Sequence, residues 1–349
     1  MTTESKPIGA HIVGRFPLDG PEDVFRTISE HAGPLLRWMP DGETETEWIV
    51  QQGGILARIP QLEPRTRTLP GMNRPLPCIA LRDGAVAEDV VFPELGYARA
   101  AVKSFGILSR LKDDGVVRED VRLQVNFPSP MTVVGAIIHE DSSAALDAGY
   151  ERAILREVEG VLDAVPHDQL TIGWDAPSET VALEGGHMWK LWFDLSDTAI
   201  VERLSRLAAA VPDEVPMGFH ICLGSPGNKH VVLPKDARNQ VHLMNLLLTE
   251  LPRRVDWLHA PVPRDVDPEH YLAPYADLHR PETNTLFLGV VDIADGIDAT
   301  RRRIRAARAV VDTFGVATVC GVQREYYRRE DAVAILDMHT RLAAPVAAG

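Results

Sequence analysis

Cysteine is scarce: Cys78, Cys222 and Cys320 are all that 349 residues contain. Three thiols cannot make a disulfide framework, which points to the reducing cytoplasm and leaves the thiols available to a metal or to chemistry. Runs of about 18 apolar residues are missing, so no membrane span is expected. The N-terminal stretch MTTESKPIGAHIVG lacks a charged segment followed by an apolar one, so no secretory signal is read there. Positive charge is in deficit. A formal net charge of −14 argues against a nucleic-acid or anionic-membrane surface, since phosphate binding needs a basic field. No G-x-G-x-x-G or phosphate-binding loop follows a strand, and no G-x-S-x-G elbow is present. Nucleotide-binding and serine acyl-transfer readings therefore lack support.

What remains is an ordinary globular composition, with 45% hydrophobic and 25% charged residues. Such a length fits two domains or one α/β barrel. Apolar runs predict strands at 8–14, 55–59, 121–127, 170–175, 217–223, 255–260, 286–291 and 316–320. Helical spacing predicts helices at 21–31, 92–115, 142–165, 199–210, 236–251, 298–314 and 329–342. Asp41-Gly42 reads as a turn, and residues 60–93, rich in Pro, Arg and Gly, as a long loop with room for a hairpin. Strands alternating with helices imply a parallel sheet, and eight of them imply a closed barrel. The expected fold class is α/β, a single (β/α)8 TIM barrel over 1–349 with a Pro-rich loop insertion around 60–93. An open doubly wound sheet is the second choice.

In such barrels chemistry sits at the C-terminal strand ends. Those ends carry Arg15, Gln124, Asn126, Asp175, His220, Cys222, His259, Asp292 and Cys320. His220 and Cys222, two apart on one strand, face the same way, and imidazole and thiolate both bind zinc. The pair equally suits a buried core strand, where free Cys is common. With His259 and Cys320 it makes either a Cys2His2 zinc set or three ligands with a position left open for substrate. His230 and His242 lie just beyond the central strand, near the expected pocket. His11, His31, His139, His167, His187, His279 and His339 read as surface or packing residues, and Cys78 as structural. The arginines at 301, 302, 303, 305 and 308 read as a solvated helix face.

At these residues the chain resembles the C-terminal catalytic barrel of cobalamin-independent methionine synthase, within the wider group that includes uroporphyrinogen decarboxylase. Ile12-Val-Gly-Arg-Phe-Pro17 is similar to that family's I-G-S-F-P, and Asp41-Gly-Glu43 to its H-G-E. Pro128-Ser-Pro-Met-Thr132 resembles G-P-x-T, and Trp174-Asp-Ala-Pro177 resembles D-E-P. Phe219-His-Ile-Cys222 resembles H-x-C, and Val319-Cys-Gly321 resembles D-C-G. The resemblance implies zinc held by His220, Cys222 and Cys320, Glu43 beside the metal, and Asp175 in the second-substrate cleft. It also marks departures. His259 stands where the family has a fourth ligand, Glu; Arg15 replaces Ser, Ala176 replaces Glu, and Ala294 replaces a proton-donating His.

The expectation is a zinc-dependent transfer of a methyl or other alkyl group to a thiol. Asp175, Glu43 and Asp292 are the candidate acid/base groups, with His259 as a further one if it is not a ligand. Arg15, Gln124 and Asn126 are the candidate substrate contacts, Arg15 suiting a carboxylate or sulfonate. A folate donor is compatible with the family but not supported by these residues. Alternatives are thiol addition to an epoxide-like electrophile, a zinc lyase or demethylase acting on a small carboxylic acid, and a barrel with a closed structural zinc. Expected partners are small molecules, with neither nucleic acid nor membrane, and a homo-oligomer is compatible.

Overall fold

The structure, a computed structural model, describes residues 6–42, 49, 51–68, 75–186, 190–224 and 228–347. Its frame is eight parallel strands: β1 (Ala10–His11), β2 (Trp38–Pro40), β5 (Arg122–Pro128), β6 (Leu170–Asp175), β7 (Met217–His220), β8 (Trp257–Pro261), β9 (Thr285–Val291) and β10 (Gly315–Thr318). They pair in the order β1-β10-β9-β8-β7-β6-β5-β2. A parallel bridge between Ala10 and Leu36, just ahead of β2, brings the two ends of the sheet together. The result is a nearly closed (β/α)8 barrel with helices outside, and all strand C-termini open on one mouth. An antiparallel hairpin, β3 (Leu62–Arg67) with β4 (Leu76–Leu81), stands within the expected Pro-rich loop.

Seven of the eight expected strands are barrel strands. The eighth is corrected: residues 55–59 do not form a strand, and their first residues end the helix Gln51–Leu56. Gln52, Leu56 and Ile59 are the buried positions, spaced by four and three, which is a helical face. The eighth barrel strand is instead β2, three residues long and fully buried.

Helix Pro21–Ala32 begins with Pro at its first position and carries Glu22 and Asp23 in its first turn. Its buried stripe of Val24, Phe25, Ile28 and Ala32 faces the core. Each large side chain there contributes about 1.5–3 kcal/mol by leaving water. This helix packs against the last one, Arg329–Leu342, and so seals the seam between chain ends. Asp23 accepts from Arg329 across that seam at 2.6 Å. Helix Gly296–Arg308 is not wholly a solvated face. Arg303 is buried, donating to Val290 O at 2.8 Å and to Asp295.

The lower barrel interior is aromatic. His11, Trp38, Trp257 and Phe287 meet ring to ring, with centroids 4.6–5.9 Å apart. Trp257 fits because its register neighbour on β7 is Gly218, where a Cβ would stand 2.1 Å from the indole. Its Nε1 donates to Thr171 Oγ1 at 3.2 Å, which satisfies the one polar atom it buries. Among the described residues no helix is long and apolar enough to cross a membrane.

Candidate metal centre

Above that aromatic layer the interior turns polar. Asp175, His220 and His259 occupy adjacent register positions on β6, β7 and β8. Cys222 follows two residues after His220, where the chain stays extended and Ile221 N donates to His259 O at 2.7 Å. Cys320 lies two residues past β10, three strands away in the sheet.

A bulge closes that gap. Between β9 and β10 the register slips, with Val316 opposite Leu288 but Thr318 opposite Val291. The extra residue in β9 falls at Gly289 or Val290, and bulges of this kind re-aim neighbouring side chains. Gly289 is where the strand ends converge. A Cβ there would meet Thr318 O and Val319 Cα, each at 2.8 Å, and Pro261 Cα at 3.1 Å. A glycine at 289 thus leaves room for the end of β8 and the backbone just past β10 to come close on either side of β9.

Cys320 Sγ thus comes to 3.7 Å from Cys222 Sγ. The ligand atoms of His220, Cys222 and Cys320 all lie within 4.8 Å of one another, and this group could hold a metal ion. Two observations test the fit. Two sulfurs bound tetrahedrally to zinc at about 2.3 Å stand about 3.8 Å apart, close to the spacing present. His220 is buried at 1% exposure, with neither ring nitrogen in a hydrogen bond. An orphaned imidazole beside two thiols is a ligand set suited to zinc.

Charge is shifted throughout this layer. Burial pushes the Asp175 carboxyl up to about 7, against the pull of His220 and with the repulsion of Cys320 and Glu179. Its Oδ1 lies 3.7 Å from His220 Nε2. Burial works against charge on His220, but Asp175 and Cys320 outweigh it and move the imidazole upward. Cys222 is held well above the usual thiol range by its hydrogen bond with Cys320 and by burial. Burial and the charge of His220 hold His259 well below the usual imidazole range.

His259, one of the four proposed ligands, is not in the group of three. Its ring stacks on His220 at 4.4 Å with 12° between the planes. Its Nε2 lies 2.9 Å from Thr318 O. Glu43 lies outside the described residues. Asp292 sits at the mouth, with Oδ1 accepting from Ala294 N at 2.9 Å and Oδ2 3.5 Å from Arg264. Arg15 is half-buried, 3.9 Å from Glu325. Gln124 is buried deeper and donates to Ile12 O at 3.3 Å. Asn126 Oδ1 is buried without a partner, against Gly173.

A cleft of about 320 Å³ opens beside the three ligands, with Cys320 in its wall. Lys229, His230, Arg264, Asp292 and Tyr327 also line it. His230, a weaker candidate from its place after the central strand, lines this cleft. His242 is not: it pairs with Asp197 on the outer helices at 2.9 Å. Glu179 was not foreseen. It is buried at 1% exposure, accepts from Ser129 Oγ at 3.1 Å, and is pushed up to about 7, chiefly by burial. Its signal in the sequence was only a carboxylate one turn past a strand end.

No family model and no curated protein matches this chain. Solved structures do. One is a candidate vitamin-B12-independent methionine synthase from Listeria monocytogenes, 15% identical, covering 98% of this chain and 100% of its own, with a TM-score of 0.54. Another is a methyltransferase from Methanosarcina mazei, 12% identical, covering 97% and 94%, with a TM-score of 0.55. At these identities the likeness is one of fold. The chain shares its barrel, end to end, with both.

Proposed function

We propose that this barrel transfers a methyl or other small alkyl group to a thiol substrate, at a zinc ion held by His220, Cys222 and Cys320. The observation that carries the reading is the spacing of those ligand atoms, within 4.8 Å, at the mouth of a barrel and beside an open cleft. When bound, zinc would supply a Lewis acid that lowers the pKa of a thiol sulfur to neutrality. The two solved neighbours support alkyl transfer as the kind of chemistry, since one is named a methyltransferase and the other a candidate methionine synthase.

The chain's own residues then have separable roles. Asp175 stands at the end of β6 with its carboxyl 3.7 Å from His220, and it is the group we assign to protonate the leaving atom. Lys229 and Arg264 give the cleft positive charge for an acidic substrate group, and Asp292 fixes Arg264 there. Arg15 is assigned to the same mouth as a second anion contact, with Gln124 and Asn126 beneath it. Nothing in these side chains selects a folate. A closed structural zinc is disfavoured because only three ligands gather among the described residues.

The test is elemental analysis joined to thermal melting. Wild-type protein is expected to hold one zinc, and Cys320→Ala to lose most of it. Small thiols bearing an acidic group should raise the wild-type melting temperature and leave the variant's unmoved. Zinc that is absent, or retained undiminished without Cys320, would overturn the reading.

A further inference from the structure

His259 is buried at 0% exposure in the middle of the polar layer, and its chemistry is fixed by two contacts. A carbonyl oxygen can only accept, so the 2.9 Å contact with Thr318 O requires the proton on Nε2. That nitrogen has no lone pair left for a metal; Nδ1, buried without a hydrogen-bond partner, keeps one, so its direction decides whether the ring can ligate. The second contact is the near-parallel stack on His220, 4.4 Å between centroids and 12° between planes. An imidazole binds a metal through a lone pair in the plane of its ring. An ion in the plane of His220 lies one stacking distance outside the plane of His259, so both rings cannot serve one ion in this arrangement.

We propose that His259 is not a metal ligand but the residue that positions the ligands, by joining the two strands that carry them. On one side its ring face supports His220 of β7. On the other, its N–H holds the carbonyl of Thr318 at the end of β10, and Thr318 Oγ1 donates to Cys320 O at 2.8 Å. One imidazole thus ties the orientation of the histidine ligand to the placement of a cysteine ligand three strands away. Beneath it, His11 lies 5.4 Å off and is itself stacked on Phe287, so His259 is held from below by a packed column of rings. Outer partners of this kind set the orientation of metal ligands, and their loss commonly costs 10–100-fold in affinity.

The inference rests on reading His220, Cys222 and Cys320 as a zinc centre, and the experiment separates the two. X-ray absorption on zinc-loaded wild-type protein should show two sulfurs and one imidazole. Two imidazoles would overturn this inference alone, and protein that takes up no zinc would overturn both readings. Zinc affinity, measured by competition with a chromophoric chelator, then tests the positioning role. His259→Phe keeps a flat ring but loses the donor to Thr318, and is expected to weaken zinc binding roughly 10–100-fold. His259→Gln restores an N–H donor and should recover most of that loss, with a cobalt-substituted absorption spectrum unchanged from wild type. Equal affinity in wild type and His259→Phe would overturn the role. So would a changed cobalt spectrum in His259→Gln, which needs only that variant to fold.

Discussion

At the scale of single residues, this site is defined by groups whose charge burial has altered, and Glu179 is the most accessible test. Its carboxyl titrates at about 7 when folded against 4.5 in an exposed chain. The proton it retains therefore stabilises the folded state fully below pH 4.5, and that stabilisation is lost as pH rises through 7. Glu179→Gln cannot ionise, so the variant should gain on wild type by up to about 3 kcal/mol between pH 4.5 and 8. Urea unfolding at both ends of that range is the measurement, and a difference that does not change with pH would refute the assignment. The metal ligands were legible at this scale because H-x-C and a distant thiol are rare and chemically pointed. His259 was legible as a participant but not in its role. Whether an imidazole ligates or supports depends on which nitrogen carries the proton, and spacing along a strand does not encode that. Glu179 was illegible because a carboxylate in a first helical turn is ordinary until its burial is known.

Among the elements, β9 and β10 decide whether the ligands meet. Gly289 lies between the end of β8 and the end of β10, with backbone atoms on both sides at 2.8–3.1 Å from where a Cβ would be. Backbone cannot rotate away as a side chain can, so Gly289→Ala must push the strand ends apart. The expected cost is about 2–3 kcal/mol of stability, together with weaker zinc binding, because Cys320 rides on the displaced end. Calorimetry and chelator competition would check both, and a destabilised variant with undiminished zinc affinity would contradict the link between bulge and site. The sequence announced most strands through their apolar runs, since strands buried on both faces are nearly continuous in Val, Ile and Leu. It hid β2, which is three residues long and ends in proline, and it offered a false strand at 55–59. There the apolar residues were close enough to mimic a strand, yet the buried positions Gln52, Leu56 and Ile59 are spaced by four and three, as on a helix. The count of eight was right with one wrong member, because the barrel needs eight and the short strand borrows its stability from neighbours.

For the whole molecule, the interior holds imidazoles that folding keeps neutral. Burial lowers His11 to about 3 and His339 to about 4, and His259 moves the same way. A histidine depressed in this manner stabilises fully above its unfolded value near 6.5, and that contribution is lost as pH falls toward the folded value. At pH 5, His11 and His339 should each cost about 2 kcal/mol. His220 and the two raised carboxyls, Asp175 and Glu179, work in the opposite sense, so the rings are tested one at a time. His339→Gln, which cannot take up a proton there, is therefore expected to gain on wild type by about 2 kcal/mol as pH falls from 7.5 to 5 in urea unfolding, and a difference between the two that does not change with pH would contradict the burial of this ring as a neutral group. The alternation of strands and helices made the barrel visible in the sequence, whereas the layering of its interior, aromatic below and ionisable above, emerges only when the strands are set in register. That register carries a consequence for how the protein is made. Cys222 and Cys320 are 98 residues apart in the chain. A ribosome adding about 5–20 residues per second needs roughly 5–20 s to pass from one to the other. Throughout that interval the nascent chain holds two of its three ligands, and the third arrives just after the last strand. The ligand cluster becomes complete only after β10 has been made, so a truncated or stalled product ending before β10 would be recognisable by its failure to retain metal.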